Sequence, residues 1–112
     1  METINHKISG VTSTKILSAS KKVGDSPTMT VCNINTTSCD VDIFYSKENY
    51  AVDGDGNAAN TVSKFYIIKG FNMPNNKTLT LDKTDMSFNN KGFDLYIKLA
   101  DAASDVDVII TI

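Results

Sequence analysis

The stretch Val106-Asp107-Val108-Ile109-Ile110-Thr111-Ile112 decides the fold, together with Phe93-Asp94-Leu95-Tyr96-Ile97-Lys98-Leu99-Ala100 before it. Both runs alternate apolar and polar residues over most of their length. A half-buried strand needs this period of two, because successive side chains point to opposite faces of a sheet. The two runs therefore predict two strands that bury one face each.

The same alternation recurs along most of the chain and predicts an all-β fold, because no helical spacing of apolar residues extends beyond about one turn. Short strands separated by Gly, Pro, Asn and Asp favour an antiparallel β-sandwich, with the jelly roll as one form of it. About eight strands are predicted: Thr3–Ile8, Thr14–Ser20, Thr28–Asn35, Cys39–Lys47, Ser63–Phe71, Lys77–Leu81, Phe93–Ala100 and Val106–Ile112.

The length of 112 residues predicts one β-sandwich domain over 1–112. Two segments stand apart from the strand pattern. Residues 1–13 are read as a strand that can also extend as an arm toward a neighbour's sheet. Residues 48–62 are read as a long projecting loop, which we regard as the first place for a partner contact, although a solvent-facing tip explains it equally well.

The composition excludes several classes of partner. Eleven basic residues balance thirteen acidic ones, and neither sign clusters, so we expect no nucleic-acid binding. No run approaches the ~20 apolar residues of a membrane span, and we expect no membrane partner. The N-terminus lacks the basic-then-apolar order of a secretory signal. We therefore expect synthesis in a cytoplasm.

Two cysteines flank a predicted hairpin turn, but they are expected to remain unpaired. Cys32 has the opposite parity to Met29 and Val31 and faces out, whereas Cys39 shares the parity of Val41 and faces in. Side chains on opposite faces of a sheet cannot reach disulfide geometry.

Paired carboxylates on strands are a feature of glycosidases, but here parity favours a solvated face. The residues concerned alternate with core positions, where they also discourage edge-to-edge aggregation. They are Asp40, Asp42, Asp94, Asp105 and Asp107.

Metal and catalytic sites have little support. Asp53, Asp55 and Asn57 resemble the opening of a calcium loop, but Ala58 and Lys64 stand where such a loop needs a glycine and a glutamate. We keep these three residues only as weak metal candidates.

The single histidine, His6, has no partner at the spacing of metal ligands or of a catalytic triad. We read it as a surface or edge residue. No catalytic residue, cofactor-binding residue or cofactor is predicted, and we expect a protein that is not an enzyme.

One predicted strand carries bulky side chains on both faces. Phe65 and Tyr66 precede two isoleucines, and Phe71 follows them. A chain this small has few elements with which to cover a second face, so we predict a subunit contact at Phe65, Tyr66 and Phe71, and a homo-oligomer. Tyr50, in the long loop, is added to this contact.

From Thr14 onward, the order of these pieces resembles small β-sandwich virion proteins of tailed bacteriophages, many from cyanophages. The resemblance lies in five features in order. They are a strand of alternating apolar and polar residues with an Asn-rich turn, a second strand after that turn, a long strand, a Pro-x-Asn/Gly-x-Thr-Leu-x-Leu segment and a closing pair of strands. These are Met29–Thr36, Asp40–Tyr45, Phe65–Lys69, Pro74–Leu81, and Leu95–Ala100 with Val106–Ile112.

The resemblance implies a non-enzymatic structural role on the virion. A capsid decoration (cement) protein is the first expectation, with the major capsid protein as partner. A neck, tail or baseplate accessory subunit, bound to other neck or tail subunits, is the second. A calcium- or carbohydrate-binding β-sandwich module that uses Tyr50 and the 53–57 loop remains an alternative. The lack of tryptophan counts against sugar binding, because sugar platforms usually need a flat exposed aromatic ring.

Overall fold

A computed structural model describes residues 3–11, 13–18, 28–47, 64–82, 85–86, 93–100 and 105–111. These residues contain eight β-strands and no helix, which confirms the predicted all-β class. The strands are β1 (Thr3–Ser9), β2 (Thr14–Leu17), β3 (Thr28–Asn33), β4 (Cys39–Lys47), β5 (Lys64–Met73), β6 (Thr78–Leu81), β7 (Phe93–Leu99) and β8 (Asp105–Thr111).

The strands form two antiparallel sheets of four. Sheet A has the order β1-β8-β3-β6, and sheet B has the order β2-β7-β4-β5. This order is that of an eight-stranded jelly roll, in which successive strands alternate between the two sheets, except that β4 and β5 pair with each other in sheet B. The predicted β-sandwich is confirmed.

Alternating side chains of both sheets fill the core. In β8, Val106, Val108 and Ile110 are buried, while Asp107 between them is half-buried and Ile109 is exposed. Ile43 of β4 lies opposite Ile97 of β7, and both are fully buried. Burial of each such side chain contributes about 1.5–3 kcal/mol relative to exposure. The two runs of alternating residues that predicted the fold therefore line its core.

Two segments named in the sequence analysis have different outcomes. Thr3–Ser9 pairs with β8 of its own chain from Thr3 opposite Thr111 to Ser9 opposite Asp105. Within these residues, the N-terminal segment is an edge strand of sheet A. The 48–62 loop lies outside the described residues.

The cysteine prediction is confirmed. Cys39 is buried and Cys32 is half-buried, and both are free thiols. Cys32 lies opposite Asp107 on the outer side of sheet A, whereas Cys39 points into the core.

A fully buried asparagine ties together the turns at one end of the sandwich. The Asn33 side-chain amide donates to the carbonyl oxygens of Thr37 at 3.1 Å and Met73 at 3.0 Å. Its Oδ1 accepts from the backbone and side-chain N–H groups of Asn35, and Asn35 in turn bonds to the backbone of Asp105. Two hydrogen-bonded side chains, Asn33 and Asn35, thus fix the chain after β3, the end of β5 and the start of β8.

Candidate functional site

Three of the five large apolar side chains that the described structure leaves exposed lie on β5. Phe65 is 46 % exposed, and Tyr66 and Phe71 are each 40 % exposed. The strand is an edge of sheet B, and no described strand pairs with its outer side. Lys69 lies among these residues and is also exposed. We call Phe65, Tyr66, Lys69 and Phe71 the β5 strip.

Two bulges shape the backbone beneath the β5 strip. Val41 pairs with Phe71 and Ile43 pairs with Ile68, so two residues of β5 lie opposite Asp42 alone. The next two pairs are Ile43 with Ile68 and Phe44 with Tyr66, and Ile67 lies between them as a second extra residue of β5. Bulges disrupt the hydrogen-bonding ladder and blunt an edge against strand addition. The β5 strip therefore offers side chains, rather than a regular backbone edge, to a partner.

The first bulge is fixed by a glycine and a carboxylate. Gly70 has a φ of +65°, a conformation that side chains with a Cβ rarely adopt. Its N–H donates to Oδ1 of Asp42 at 2.6 Å. Next along the strand, the Asn72 side-chain amide donates to Oδ1 of Asp40 at 2.8 Å. Both carboxylates thus lie beside the Phe71 end of the β5 strip.

A row of three aromatic rings on the outer side of sheet B anchors Tyr66, with the Tyr66 and Phe44 rings tilted and the Phe44 and Tyr96 rings stacked. The ring centres of Tyr66 and Phe44 are 5.4 Å apart, and those of Phe44 and Tyr96 are also 5.4 Å apart. Phe44 and Tyr96 are buried. Nζ of Lys69 lies 4.4 Å from the centre of the Tyr66 ring, within cation–π range. Tyr66 is thus the exposed end of the row, and the positively charged ammonium group of Lys69 lies over its ring.

Phe65 belongs to a second aromatic cluster, with Tyr45 and Phe93. Its ring stacks on Tyr45 at 5.3 Å and meets Phe93 edge-on at 5.9 Å. Tyr45 and Phe93 meet edge-on at 5.5 Å, and both are half-buried. Aromatic pairs in these geometries contribute about 0.5–1.5 kcal/mol each beyond area burial. Phe65 is therefore held in place although almost half of it faces solvent.

Charge is distributed unevenly along the β5 strip. The ammonium group of Lys69 lies at the Tyr66 end, and the carboxylates of Asp42 and Asp40 lie at the Phe71 end. Asp42 lies opposite Lys98 of β7, whereas Asp40 is exposed and lies nearer to the edge. Within the described part of the chain, Lys69 has no ion-pair partner. The strip thus has a basic end and an acidic end.

One of the acidic residues is not on a solvated face. The prediction for Asp94 is wrong, because its side chain is buried and forms an ion pair with Lys15 at 3.3 Å. Tyr96, on the same side of sheet B, is also buried. Burial raises the pKa of Tyr96, and the negative charge of Asp94 raises it further, while Lys15 opposes the shift. The outer side of sheet B is therefore buried near its centre, where Asp94 lies beside Tyr96 and Phe44.

The outer side of sheet A is a second exposed surface, of different character. Ile109 is 44 % exposed and lies between Asn5 of β1 and Thr30 of β3. Five further threonines occupy outward positions on this sheet, and a shallow depression of about 290 Å³ opens between β1 and β8. These threonines are Thr3, Thr28, Thr78, Thr80 and Thr111.

Charges on this surface pair with each other. Nζ of Lys7 donates to Oδ1 of Asp107 at 2.8 Å, which raises the pKa of Lys7. At the end of the same two strands, the hydroxyl of Ser9 donates to the carboxylate of Asp105. The outer side of sheet A is thus nearly neutral, with one exposed aliphatic side chain among hydroxyl groups.

The histidine joins the two sheets. Nε2 of His6 lies 2.8 Å from the carbonyl oxygen of Ile16, so the ring bridges the edge strands β1 and β2. His6 is on an edge strand, as predicted, but it is half-buried between the sheets. In the described residues, no three His, Cys, Asp or Glu side chains come together in a group that would hold a metal ion.

The predicted site residues divide into two groups. Phe65, Tyr66 and Phe71 lie along one edge strand, with Tyr66 on its outer side and the other two on its core-facing side. Tyr50 and the weak metal candidates Asp53, Asp55 and Asn57 lie outside the described residues. Sequence reasoning missed Lys69 and Ile109 as surface features. For Ile109, the signal was the run Val108-Ile109-Ile110, which breaks the alternation of β8.

Comparisons of this chain with protein-family models, with curated proteins and with solved structures find no match. In the part of the chain that the structure describes, no helix is long and apolar enough to span a membrane.

Proposed function

We propose that this chain is a non-enzymatic structural protein of a bacteriophage virion, and that it decorates the capsid. A neck, tail or baseplate position is the second assignment. The observation that carries the proposal is the β5 strip, because Phe65, Tyr66 and Phe71 are all exposed along one edge strand, Tyr66 on its outer side and the two phenylalanines on its core-facing side. Contiguous exposed apolar residues, especially when polar residues border them, are typical of protein–protein contacts. The resemblance in strand order and turn residues supplies the virion context.

The two exposed surfaces suit a subunit that bridges neighbours. The β5 strip is an aromatic and charged edge of sheet B, and the Ile109 surface is a neutral face of sheet A. A protein that bridges two capsid subunits needs two separate contacts. Many copies, each with modest interface energies, then stabilise a shell through avidity. We assign the Ile109 surface to the capsid subunit.

Nothing in the described residues favours the calcium- or carbohydrate-binding module over this proposal. That alternative rests on Tyr50, Asp53, Asp55 and Asn57, and its test is simple. A rise in melting temperature on addition of calcium, lost in Asp55→Ala, would support it. The structural proposal expects no calcium-dependent shift.

The test of the proposed function is to locate the chain in virions made from the genome that encodes it. Mass spectrometry and immunogold labelling of purified virions should find many copies on the capsid. Virions that lack the protein should release DNA at a lower temperature, and added purified protein should restore the original release temperature.

A matched pair of variants makes this test specific. Ile109→Glu should fail to restore the release temperature, because it places a charge in the proposed capsid contact. Ile34→Glu changes an equally exposed side chain outside both surfaces and should restore it. Absence of the protein from purified virions would overturn the proposal, and labelling confined to the neck or tail would replace capsid decoration with the second assignment.

A further inference from the structure

The β5 strip has the charge pattern of a self-complementary contact. Its basic end, with Lys69 over Tyr66, and its acidic end, with Asp40 beside Asn72, lie on the same side of sheet B. A two-fold axis through the middle of the strand exchanges these ends. The basic end of one copy then meets the acidic end of the other, which is what an isologous interface requires.

We propose that the occupant of the β5 strip is a second copy of this chain, in a two-fold dimer whose β5 strands run antiparallel. Lys69 of each copy faces Asp40 of the other, and the Tyr66 end of each strip packs beside the Phe71 end of its counterpart. This inference deepens the proposed function, because it names the partner at one of the two surfaces.

The chemistry of the described side chains fits this arrangement. The Lys69 ammonium has one aromatic contact and no ion-pair partner among the described residues, so it keeps donors for a carboxylate. Asp40 accepts one hydrogen bond from Asn72, and an ionised carboxylate has about four acceptor sites. The same edge-to-edge dimer covers Tyr66 on the outer side of sheet B and Phe71 on the core-facing side, and both are otherwise 40 % exposed.

The bulges determine the kind of contact. Two residues opposite Asp42 and the extra residue Ile67 interrupt the hydrogen-bonding edge, so the two copies do not join into one continuous sheet. The contact consists of aromatic packing and two symmetric ion pairs. Such a narrow contact lies at the small end of interface areas, below about 1,200 Å², and we expect weak dimerisation, with a Kd on the order of micromolar.

Sedimentation velocity over a protein concentration range of about 1–500 μM tests the proposal. The mass of the wild-type protein should rise from 12.2 kDa toward twice that value. Lys69→Glu and Asp40→Lys should each raise the Kd at least about tenfold, because each places like charges together. The double variant, Lys69→Glu with Asp40→Lys, should return the Kd to within about threefold of the wild-type value, because the opposite charges meet again.

Lys77→Glu is the matched control, because it makes the same charge change at an exposed residue of the turn before β6. It should leave the Kd unchanged. A wild-type protein that stays monomeric over the whole concentration range overturns the proposal. So does a double variant that is no better than the single ones, or a Lys77→Glu effect as large as that of Lys69→Glu.

The outcome is separable from the proposed function. A monomeric protein that is still found on capsids contradicts only the dimer. A dimeric protein that is absent from virions contradicts only the virion role.

Discussion

The backbone N–H of Gly70 donates to Oδ1 of Asp42 at 2.6 Å, and this bond holds the bulge of β5 against β4. The second bulge, at Ile67, allows adjacent isoleucines in β5, because Ile68 lies opposite the buried Ile43 while Ile67 is the extra residue. The exposed aromatic residues on either side keep their positions only if both bulges form.

Gly70→Ala should destabilise the protein by about 1–2 kcal/mol through backbone strain, because a residue with a Cβ disfavours positive φ. Apart from Gly70 and its two chain neighbours, no described atom lies within 4 Å of the position that the new Cβ would occupy, so a clash is not the cause. Gly70→Asn should cost less, although asparagine is larger, because asparagine tolerates this conformation. Urea unfolding measures both variants, and a greater loss for asparagine would contradict the strain argument.

Asn33→Asp should destabilise the protein by about 3 kcal/mol or more. The substitution removes the N–H donor that Thr37 and Met73 share and buries a negative charge against their carbonyl oxygens. Asn75→Asp, in the exposed turn after β5, is the control and should change stability by less than about 0.5 kcal/mol. Equal effects in urea unfolding would show that the buried network does not hold this end of the sandwich.

The two thiols should differ in accessibility. Cys32 is half-buried on the outer side of sheet A and should react with a thiol reagent in the folded protein, whereas Cys39 is buried in the core and should react only after unfolding. The absorbance change of the thiol reagent should therefore correspond to one reactive thiol per chain under native conditions and to two in denaturant. Recovery of fewer than two thiols in denaturant without reductant would indicate a disulfide and contradict the register.

Tyr96 should ionise later than an ordinary phenol, because burial raises its pKa and Asp94 adds to the shift. The unfolded chain then loses this proton first, so the free energy of unfolding should fall as the pH rises from 10.0, the ordinary value, through the raised pKa of the folded state. Tyr96→Phe should remove this part of the decrease. Ultraviolet titration should show a late-ionising phenol in the wild-type protein, and persistence of this step in Tyr96→Phe would contradict the assignment.

Much of the fold was predictable because alternation is a direct consequence of strand geometry. The buried residues of β8 and the opposite facings of Cys32 and Cys39 follow from parity alone. The prediction for Asp94 failed because parity indicates which side of a sheet a residue lies on, but not whether that side is exposed to solvent.

Other features depend on contacts between distant segments. The bulges of β5 have only Gly70 as a local signal, and the buried role of Asn33 depends on turns about forty residues apart. The hydrogen bond between His6 and Ile16 likewise forms only when the two sheets stack. At the candidate site, the exposure of Phe65, Tyr66 and Phe71 could be predicted from the sequence. The separation of positive and negative charge around them could not, because it depends on which strands pair in the fold.

A cryo-electron microscopy reconstruction of the virion tests the central claim most directly. The account predicts density for this jelly roll on the outer surface of the capsid, with Ile109 against a capsid subunit and the β5 strips of two copies in contact. Virions without such density, or with this chain bound while both surfaces remain in solvent, would contradict it.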